Sequence, residues 1–425
     1  MSKKINVCMI STFHHQGGAA IAANRLLEVL KNKNDVHYIT KTSKNNSIIP
    51  AFSYEDDSFL GKFRSLLFLS FEKFFFLFSE KNASVRFSFS TAPIGFDVTK
   101  NSSFINADVI HLHWINQGFI SLSGLDKIFK SGKPVVITMH DFWYFTGGCH
   151  YPGTCTAYIN ACGNCPFLKN PKTSDLSAKL HARKTELFKH AGKISIVGCS
   201  DWLKKEASKS SILKNIYITS IPNALHVDDF IPHGLKKMRV KYQLPADKKI
   251  MLFGSMSITD PRKGFQYFKD ALTHLTAHYT KDNLEIAVFG AIKHDLSEVF
   301  DNLPFKVNYL GKINPKDIAE IYSIADVYIS PSLEDNLPNT VAEAMSCGVP
   351  VVAFHTGGLP EMIDHKKNGY LAAYKNEIDL AAGIHFILSS EYPEVLKLNA
   401  RNKAIDKYSP EKVSSAYEAI YKNLI

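Results

Sequence analysis

The stretch ADVYISPSLEDNLPNTVAEAMSCGVPVVAFHTGGLPEMIDHKKNG, residues 325–369, contains a strand, a loop, a helix and a second strand in close succession. Residues 326–330 form a short apolar run that ends at Pro331. A polar loop carrying Glu334 and Asp335 follows, and then a helix that Pro338 opens and Gly348 closes. PVVAF, 350–354, is the next strand, and His355-Thr356-Gly357-Gly358-Leu359-Pro360-Glu361 enters a further helix. A helix between consecutive strands implies a parallel pair, and parallel sheets bind ligands at the carboxyl ends of their strands. Asp335 and Glu343 lie on that side, one on the loop and one inside the helix. Carboxylates there accept hydrogen bonds from vicinal hydroxyls, as acidic groups in dinucleotide folds do with ribose. Gly357 and Gly358 let backbone N–H groups approach an anion where a helix dipole favours negative charge. Together the two features read as a phosphate or sugar site.

Outward from this stretch the same alternation recurs. INVCMIS, the helical AAIAANRLLEVLK, DVIHLHW, KPVVITMH and KISIVGCS occupy the first half. KKIMLFGS, LEIAVFG, FKVNYLG, DVYISPS and PVVAF occupy the second, after the turn-rich SIPNALHVDDFIP. Repeated βαβ units predict an α/β fold with two doubly wound, Rossmann-like domains. A chain of 425 residues, 45% hydrophobic, is long enough to fill two cores. The expected domains are 1–224 and 225–408, with an amphipathic segment, 409–425, crossing back onto the first through Val413, Tyr417, Ile420 and Tyr421. Residues 1–10 have too few apolar positions for the core of an export signal and read as the first buried strand.

The run SPSLEDNLPNTVAEAMSCGVPVVAFHTGGLPEMIDHKKNGYL resembles the donor-site signature of the retaining GT-B glycosyltransferases of family four, the type found in bacterial surface-polysaccharide assembly such as colanic acid and O-antigen. In that family two Glu are separated by seven intervening residues, the first on sugar hydroxyls and the second on the nucleotide ribose. Glu343 matches the second. Asp335 aligns with the first and Glu334 stands immediately before it, so either acid is a candidate for the sugar. In FGSMSITDPRKGFQYFKDAL, Lys263-Gly264 matches the pair whose lysine holds the diphosphate. Ser255 replaces the usual arginine of the preceding pair, and Arg262 is the candidate that restores the charge. The resemblance implies two domains facing across a cleft, transfer of a hexose or N-acetylhexosamine from a nucleotide diphosphate sugar with retention of configuration, and no metal or other cofactor for catalysis. Leaving-group charge would then fall to Arg262, Lys263 and backbone dipoles.

At the corresponding edge of the first half, His14-His15-Gln16-Gly17-Gly18 follows the first strand and opens a helix; the resemblance places Gly17 and Gly18 at the donor phosphates. HLHW (111–114) and TMHDFW (138–143) end two further strands. By resemblance His140 meets the donor sugar. His111 and His113 read equally as structural, and Asp141 as an orienter of His140 or a cap. Farther on, Cys149, Cys155, Cys162 and Cys165 fall at spacings of five, six and two intervening residues, with His150 adjacent. This set reads as a structural zinc site. Reduced thiols and a redox-sensitive pair are the other readings.

Charge separates the two halves. Up to Ala224 there are 27 Lys and Arg against 15 Asp and Glu; beyond it, 23 against 25. The basic half also carries SFLGKFRSLLFLSFEKFFFLFSEK, 58–81, whose charges interrupt it too often for a membrane span. Phe and Leu with interleaved bases suit a bilayer interface and anionic lipid; the other reading is a core helix. The expected partners are a nucleotide diphosphate sugar, a glycan or polyprenyl-diphosphate-linked acceptor and an anionic membrane surface, with no nucleic acid. The expected location is cytoplasmic, peripheral at the inner face of the plasma membrane. Two rival readings share the scaffold: a non-catalytic sugar- or partner-binding protein, and a nucleotide-sugar epimerase or glycan phosphorylase.

Overall fold

Runs such as Val135–Met139 (VVITM), Val327–Ser330 (VYIS) and Val351–Phe354 (VVAF) are buried at every position. Strands covered by helices on both faces require that pattern, and an alternating run would place polar groups in the core. In the computed structural model, which describes residues 4–42, 51–55, 58–292 and 296–425, such runs build two parallel sheets. Residues 1–3 of the expected first strand lie outside the described residues.

The chain divides into two compact units, Met1–Asn223 with Val413–Ile425, and Ala224–Lys412. The first holds β1 (Asn6–Phe13), β2 (Asp35–Thr42), β3 (Ala51–Glu55), β4 (Val109–Leu112), β5 (Val135–Met139), β6 (Ile194–Gly198) and β7 (Ile218–Ser220), in the order β3-β2-β1-β4-β5-β6-β7. The second holds β8 (Lys249–Ser257), β9 (Leu284–Ala291), β10 (Lys306–Gly311), β11 (Val327–Ser330), β12 (Val351–Phe354) and β13 (Gly369–Ala372), in the order β10-β9-β8-β11-β12-β13. In both sheets the chain winds outward in one direction and then restarts beside its first strand. The reversal falls between β1 and β4 in one unit and between β8 and β11 in the other. Connections leave such a point in opposite directions and open a crevice at the strands' carboxyl ends.

The last helix, Pro410–Leu424, buries Val413, Tyr417 and Tyr421 against the first sheet, while Ile420 is half-buried. Its tyrosines bind to the sheet by hydrogen bonds as well as by area. Tyr421 Oη lies 2.7 Å from His111 Nδ1, and Tyr417 Oη lies 2.8 Å from Thr138 Oγ1, which in turn lies 2.8 Å from His111 Nε2. All four side chains are buried, so each polar atom depends on the others in place of water. Tyr421→Phe strands His111 Nδ1 and is expected to cost about 1–3 kcal/mol. Urea denaturation of the full-length variant checks this, and an unchanged midpoint would show that the helix is held by packing alone.

Candidate functional site

In the second unit the loops at the β8/β11 reversal meet directly. After β8, Asp260 caps a short turn, Pro261–Lys263, by accepting the Arg262 N–H at 3.0 Å, and Gly264 ends it with φ 66°. A β-carbon at Gly264 would overlap the carbonyl oxygen of Pro331, so only glycine lets this turn lie against the end of β11. Leu333 N–H then donates to Arg262 O at 2.7 Å. From the other side Gly357, φ 58°, lies so close to Asp335 O that a β-carbon would overlap it, and Gly358 N–H donates to that oxygen at 3.1 Å.

The clamped loop brings together residues far apart in sequence. Lys263 Nζ lies 2.6 Å from Asp335 Oδ2, and Ser332 Oγ lies 3.4 Å from the same oxygen. Asp335 is the buried acid of the neighbouring two; Glu334 is half-buried. Glu343 is buried on the helix Asn339–Ser346 and accepts the Tyr322 hydroxyl at 2.8 Å. Tyr328, whose hydroxyl donates to Gly254 O at 2.7 Å, interacts electrostatically with both Asp335 and Glu343. Arg262 is turned onto the Asp260 carboxylate at 2.7 Å, with its side chain 41% exposed. Ser255 is buried and its hydroxyl has no hydrogen-bond partner. The helix expected after Gly357 and Gly358 is a single turn, Leu359–Met362, and Leu359 N–H is already bonded to Thr356 O. One turn sums few peptide dipoles, so the anion attraction expected there is weaker than a full helix would give.

The β1/β4 reversal of the first unit gathers histidines. Gly17, φ 96°, precedes the helix Gly18–Leu30. His14, at the end of β1, stacks on His15 with ring centroids 4.0 Å apart; it is buried, and neither of its ring nitrogens has a partner. His113 Nδ1 lies 3.1 Å from His140 Nε2, and His140 Nδ1 lies 3.4 Å from Cys199 Sγ. Asp141 accepts the first N–H of the short turn Trp143–Phe145. Its carboxylate accepts Trp114 Nε1, Trp143 N and His150 Nδ1, each at 2.8 Å. Burial raises that carboxyl, but His150 and the two N–H donors outweigh burial and hold it below its ordinary range. His150 is thus committed to Asp141. His14 was invisible to spacing arguments, and only its place one residue beyond a buried strand singles it out.

The four cysteines line one small cavity. The helix Phe59–Leu77 is not the core helix that one reading of the Phe-rich segment expects. It buries only Ser65, Glu72 and Phe76, while Phe59, Leu60 and Phe78 are 80%, 76% and 71% exposed. Among the described residues no helix is long and apolar enough to cross a membrane.

Two parallel α/β units, each with its candidate residues at the reversal of strand order, define the GT-B class of glycosyltransferase architecture. Residues 247–390 match the family described as Glycosyl transferases group 1. An uncharacterized glycosyltransferase of Methanocaldococcus jannaschii is 25% identical over 352 residues, 77% of this chain and 88% of its own length. The putative colanic acid biosynthesis glycosyl transferase WcaC of Escherichia coli K12 is 23% identical over 337 residues, 74% and 75% of the two chains. The structure of Anabaena HepE in complex with UDP superposes with a TM-score of 0.66 over 99% of this chain and 100% of that one, at 14% identity. Residues 247–390 thus match a glycosyltransferase group 1 domain, and the chain has the GT-B fold and is similar to glycosyltransferases over most of its length.

Burial lowers the imidazole of His14 to about 4, of His140 to about 4 and of His111 to about 3, against 6.5 for the free side chain; neighbouring charges add to the shift at His14 and His111, whereas Asp141 opposes it at His140. An imidazole depressed in the fold is protonated first in the unfolded chain. Its stabilising contribution is therefore complete above about pH 6.5 and is lost as pH falls through about 4 toward 3. The urea midpoint is expected to decline across that window and the decline to shrink in His111→Asn; a midpoint independent of pH there would count against buried neutral histidines.

Proposed function

We propose that the chain transfers a hexose or N-acetylhexosamine, with retention of configuration, from a nucleotide diphosphate sugar to a lipid-linked glycan acceptor in polysaccharide assembly. The Lys263–Asp335 pair at the β8/β11 reversal of a group 1 domain is the observation that carries this reading. A donor supplies both counterparts the pair needs. Its diphosphate takes the Lys263 ammonium and a sugar hydroxyl takes the Asp335 carboxylate, so the two charges separate without either losing a partner. Glu343 receives the ribose hydroxyls in exchange for its bond to Tyr322. Arg262, exposed on a flexible stem, leaves Asp260 to join Lys263 on the leaving diphosphate, where fixed cations stabilise developing negative charge without a metal ion. Gly357 and Gly358 shape the loop against which the sugar rests, and Glu334 lies at its rim. The departing phosphate accepts the proton of the incoming hydroxyl on the same face.

In the first unit Gly17 and Gly18 offer N–H groups to the donor phosphates. His140 is positioned by Cys199 at Nδ1 and, as a neutral imidazole, turns its Nε2–H from His113 to the sugar. The complex of HepE with UDP favours a uridine donor, and the similarity to a putative colanic acid biosynthesis enzyme favours a surface-polysaccharide acceptor. The exposed face of Phe59–Leu77, on a unit with 27 basic against 15 acidic residues up to Ala224, favours an anionic membrane surface and a peripheral location at the inner face of the plasma membrane.

Incubation with labelled UDP- and GDP-sugars, without added Mg²⁺ or Mn²⁺, is expected to release nucleotide diphosphate slowly. Lys263→Ala should lower that rate on the order of 100-fold, and Glu343→Ala should weaken donor binding roughly tenfold or more, the scale of a lost hydrogen bond to a charged group. Donor binding unaffected by Glu343→Ala would displace the ribose from this position. Absence of any donor binding or turnover would favour a non-catalytic protein, the reading to which Asp335 and Ser255 at two expected acid and arginine positions point.

The membrane claim has its own measurement. Replacing Phe63, Phe74 and Phe78 together by Ser removes about 1.5–3 kcal/mol of apolar burial per side chain. It should abolish co-sedimentation with phosphatidylglycerol vesicles while leaving turnover of the soluble donor intact. Undiminished sedimentation would remove the helix from the contact.

A further inference from the structure

Between β5 and the helix Leu176–Lys189 the chain makes a long excursion whose only regular pieces are two short turns, Trp143–Phe145 and Ala157–Ile159. Excursions of this length are uncommon in compact domains and need something to hold them. Cys149, Cys155, Cys162 and Cys165 all line one cavity of about 10 Å³, room for a single small atom or ion. All four are free thiols, and each lies within electrostatic reach of the other three.

Three features around them suit an anionic sulfur cluster. Gly147 N–H donates to Cys162 Sγ at 3.2 Å, and the backbone of Phe167 bonds the sulfur of Cys165. The turn Cys162-Gly163-Asn164 holds three successive positive φ values, 54°, 107° and 47°, an expensive backbone that brings Cys162 and Cys165 to one side. Finally, the buried Lys184 side chain is bonded, among the described residues, to the carbonyls of Trp143 and Thr146, over the Trp143 ring, and interacts electrostatically with Cys149, Cys162 and Asp141. Its hydrogen bonds go to carbonyls, and the carboxylate that acts on it, Asp141, is already held by Trp114, Trp143 and His150.

Among the described residues no three His, Cys, Asp or Glu side chains already stand in a ligating arrangement. The sulfurs ring the cavity and would have to close to about 2.3 Å from a common centre. We propose that Cys149, Cys155, Cys162 and Cys165 close on one structural Zn²⁺, each thiol releasing its proton to solvent as its sulfur binds. The four-thiolate centre keeps a net negative charge beside Lys184 and has no open position for substrate. It braces two other parts of the unit. Phe89 pairs with Cys149 and Glu80 with Leu168 in isolated bridges, so the excursion forms the seat of the segment that follows the exposed helix Phe59–Leu77. The excursion also carries His150, the partner of Asp141.

The full-length protein purified without chelator is expected to contain one zinc per chain by plasma mass spectrometry. A mercurial thiol reagent should release that zinc as four thiols react, and cobalt-loaded protein should show the visible and near-ultraviolet bands of a tetrahedral thiolate site. Cys162→Ser with Cys165→Ser should bring zinc to background. If that variant does not fold, the wild-type zinc content and cobalt spectrum decide alone. Zinc at background in the wild type, with the four thiols freely reactive or the intact mass four hydrogens short as in a pair of disulfides, overturns the proposal. So does stoichiometric zinc retained by a folded double variant.

Discussion

Two backbone approaches that only glycine permits hold the candidate donor site together. Gly264 lies against the Pro331 carbonyl and Gly357 against the Asp335 carbonyl, so the loop 331–335 is gripped from both sides. Main-chain contact, in place of long side chains, therefore sets where Asp335 stands and how far Lys263 must reach. A pair positioned in this way loses little conformational freedom when a ligand arrives, which is the requirement for stabilising charge that develops during a reaction. Its ionic strength is secondary. The Lys263 and Asp335 side chains are 28% and 11% exposed, a setting in which a carboxylate and an ammonium are held together but remain open to exchange with a charged ligand.

The two reversals of strand order carry different chemistry. At β8/β11 the groups are an ammonium, a guanidinium and two buried carboxylates. At β1/β4 they are imidazoles whose burial keeps them neutral near pH 7. Neutral imidazoles and backbone N–H groups orient hydroxyls and phosphates by direction, whereas the cations of the second unit act by charge. Bases of the first unit lie at its surface as well, among them Lys127, Lys130, Lys189 and Lys209, which are more than half exposed and balanced by acids.

How much of this was legible follows from what each residue has to bury. Strands buried on both faces write themselves as unbroken apolar runs, so β1, β4, β5, β6, β8, β9, β11 and β12 could be read directly, whereas β10, an edge strand without a buried position, was legible through the alternation around it. β2, DVHYITKT, mixes polar with apolar positions, β3 is a half-exposed edge, and β7 and β13 have three and four residues. Such strands owe their pairing to neighbours already in place and show no period of their own. Spacing identified Asp335, Glu343 and Lys263 as candidates. The contact between Lys263 and Asp335, 72 positions apart, depends on sheet order, which no local pattern encodes. The turn at Leu359–Met362 was read as a fuller helix because Pro360 and Glu361 suit a first turn whatever its length.

Glu72 shows why the Phe-rich helix lies as it does. Its side chain is 1% exposed, and it accepts the Gly118 N–H at 2.5 Å and the Ser90 hydroxyl. A buried carboxylate deprived of these donors would cost several kcal/mol, on the order of the penalty for an unpaired buried charge. Rotating the helix to bury Phe63 and Phe74 would expose Glu72 and leave the Gly118 N–H unmatched, while Phe76, stacked on Phe89 at 4.7 Å, would lose its place in the core. The polar anchor thus fixes the rotation of the helix and holds the apolar side chains outward. A helix that spends its buried face on Ser65, Glu72 and one Phe has its remaining hydrophobic surface available for an apolar partner outside the unit. Lys62 and Arg64 on the same helix add positive charge beside that surface, the combination that an anionic lipid interface satisfies and a protein core does not.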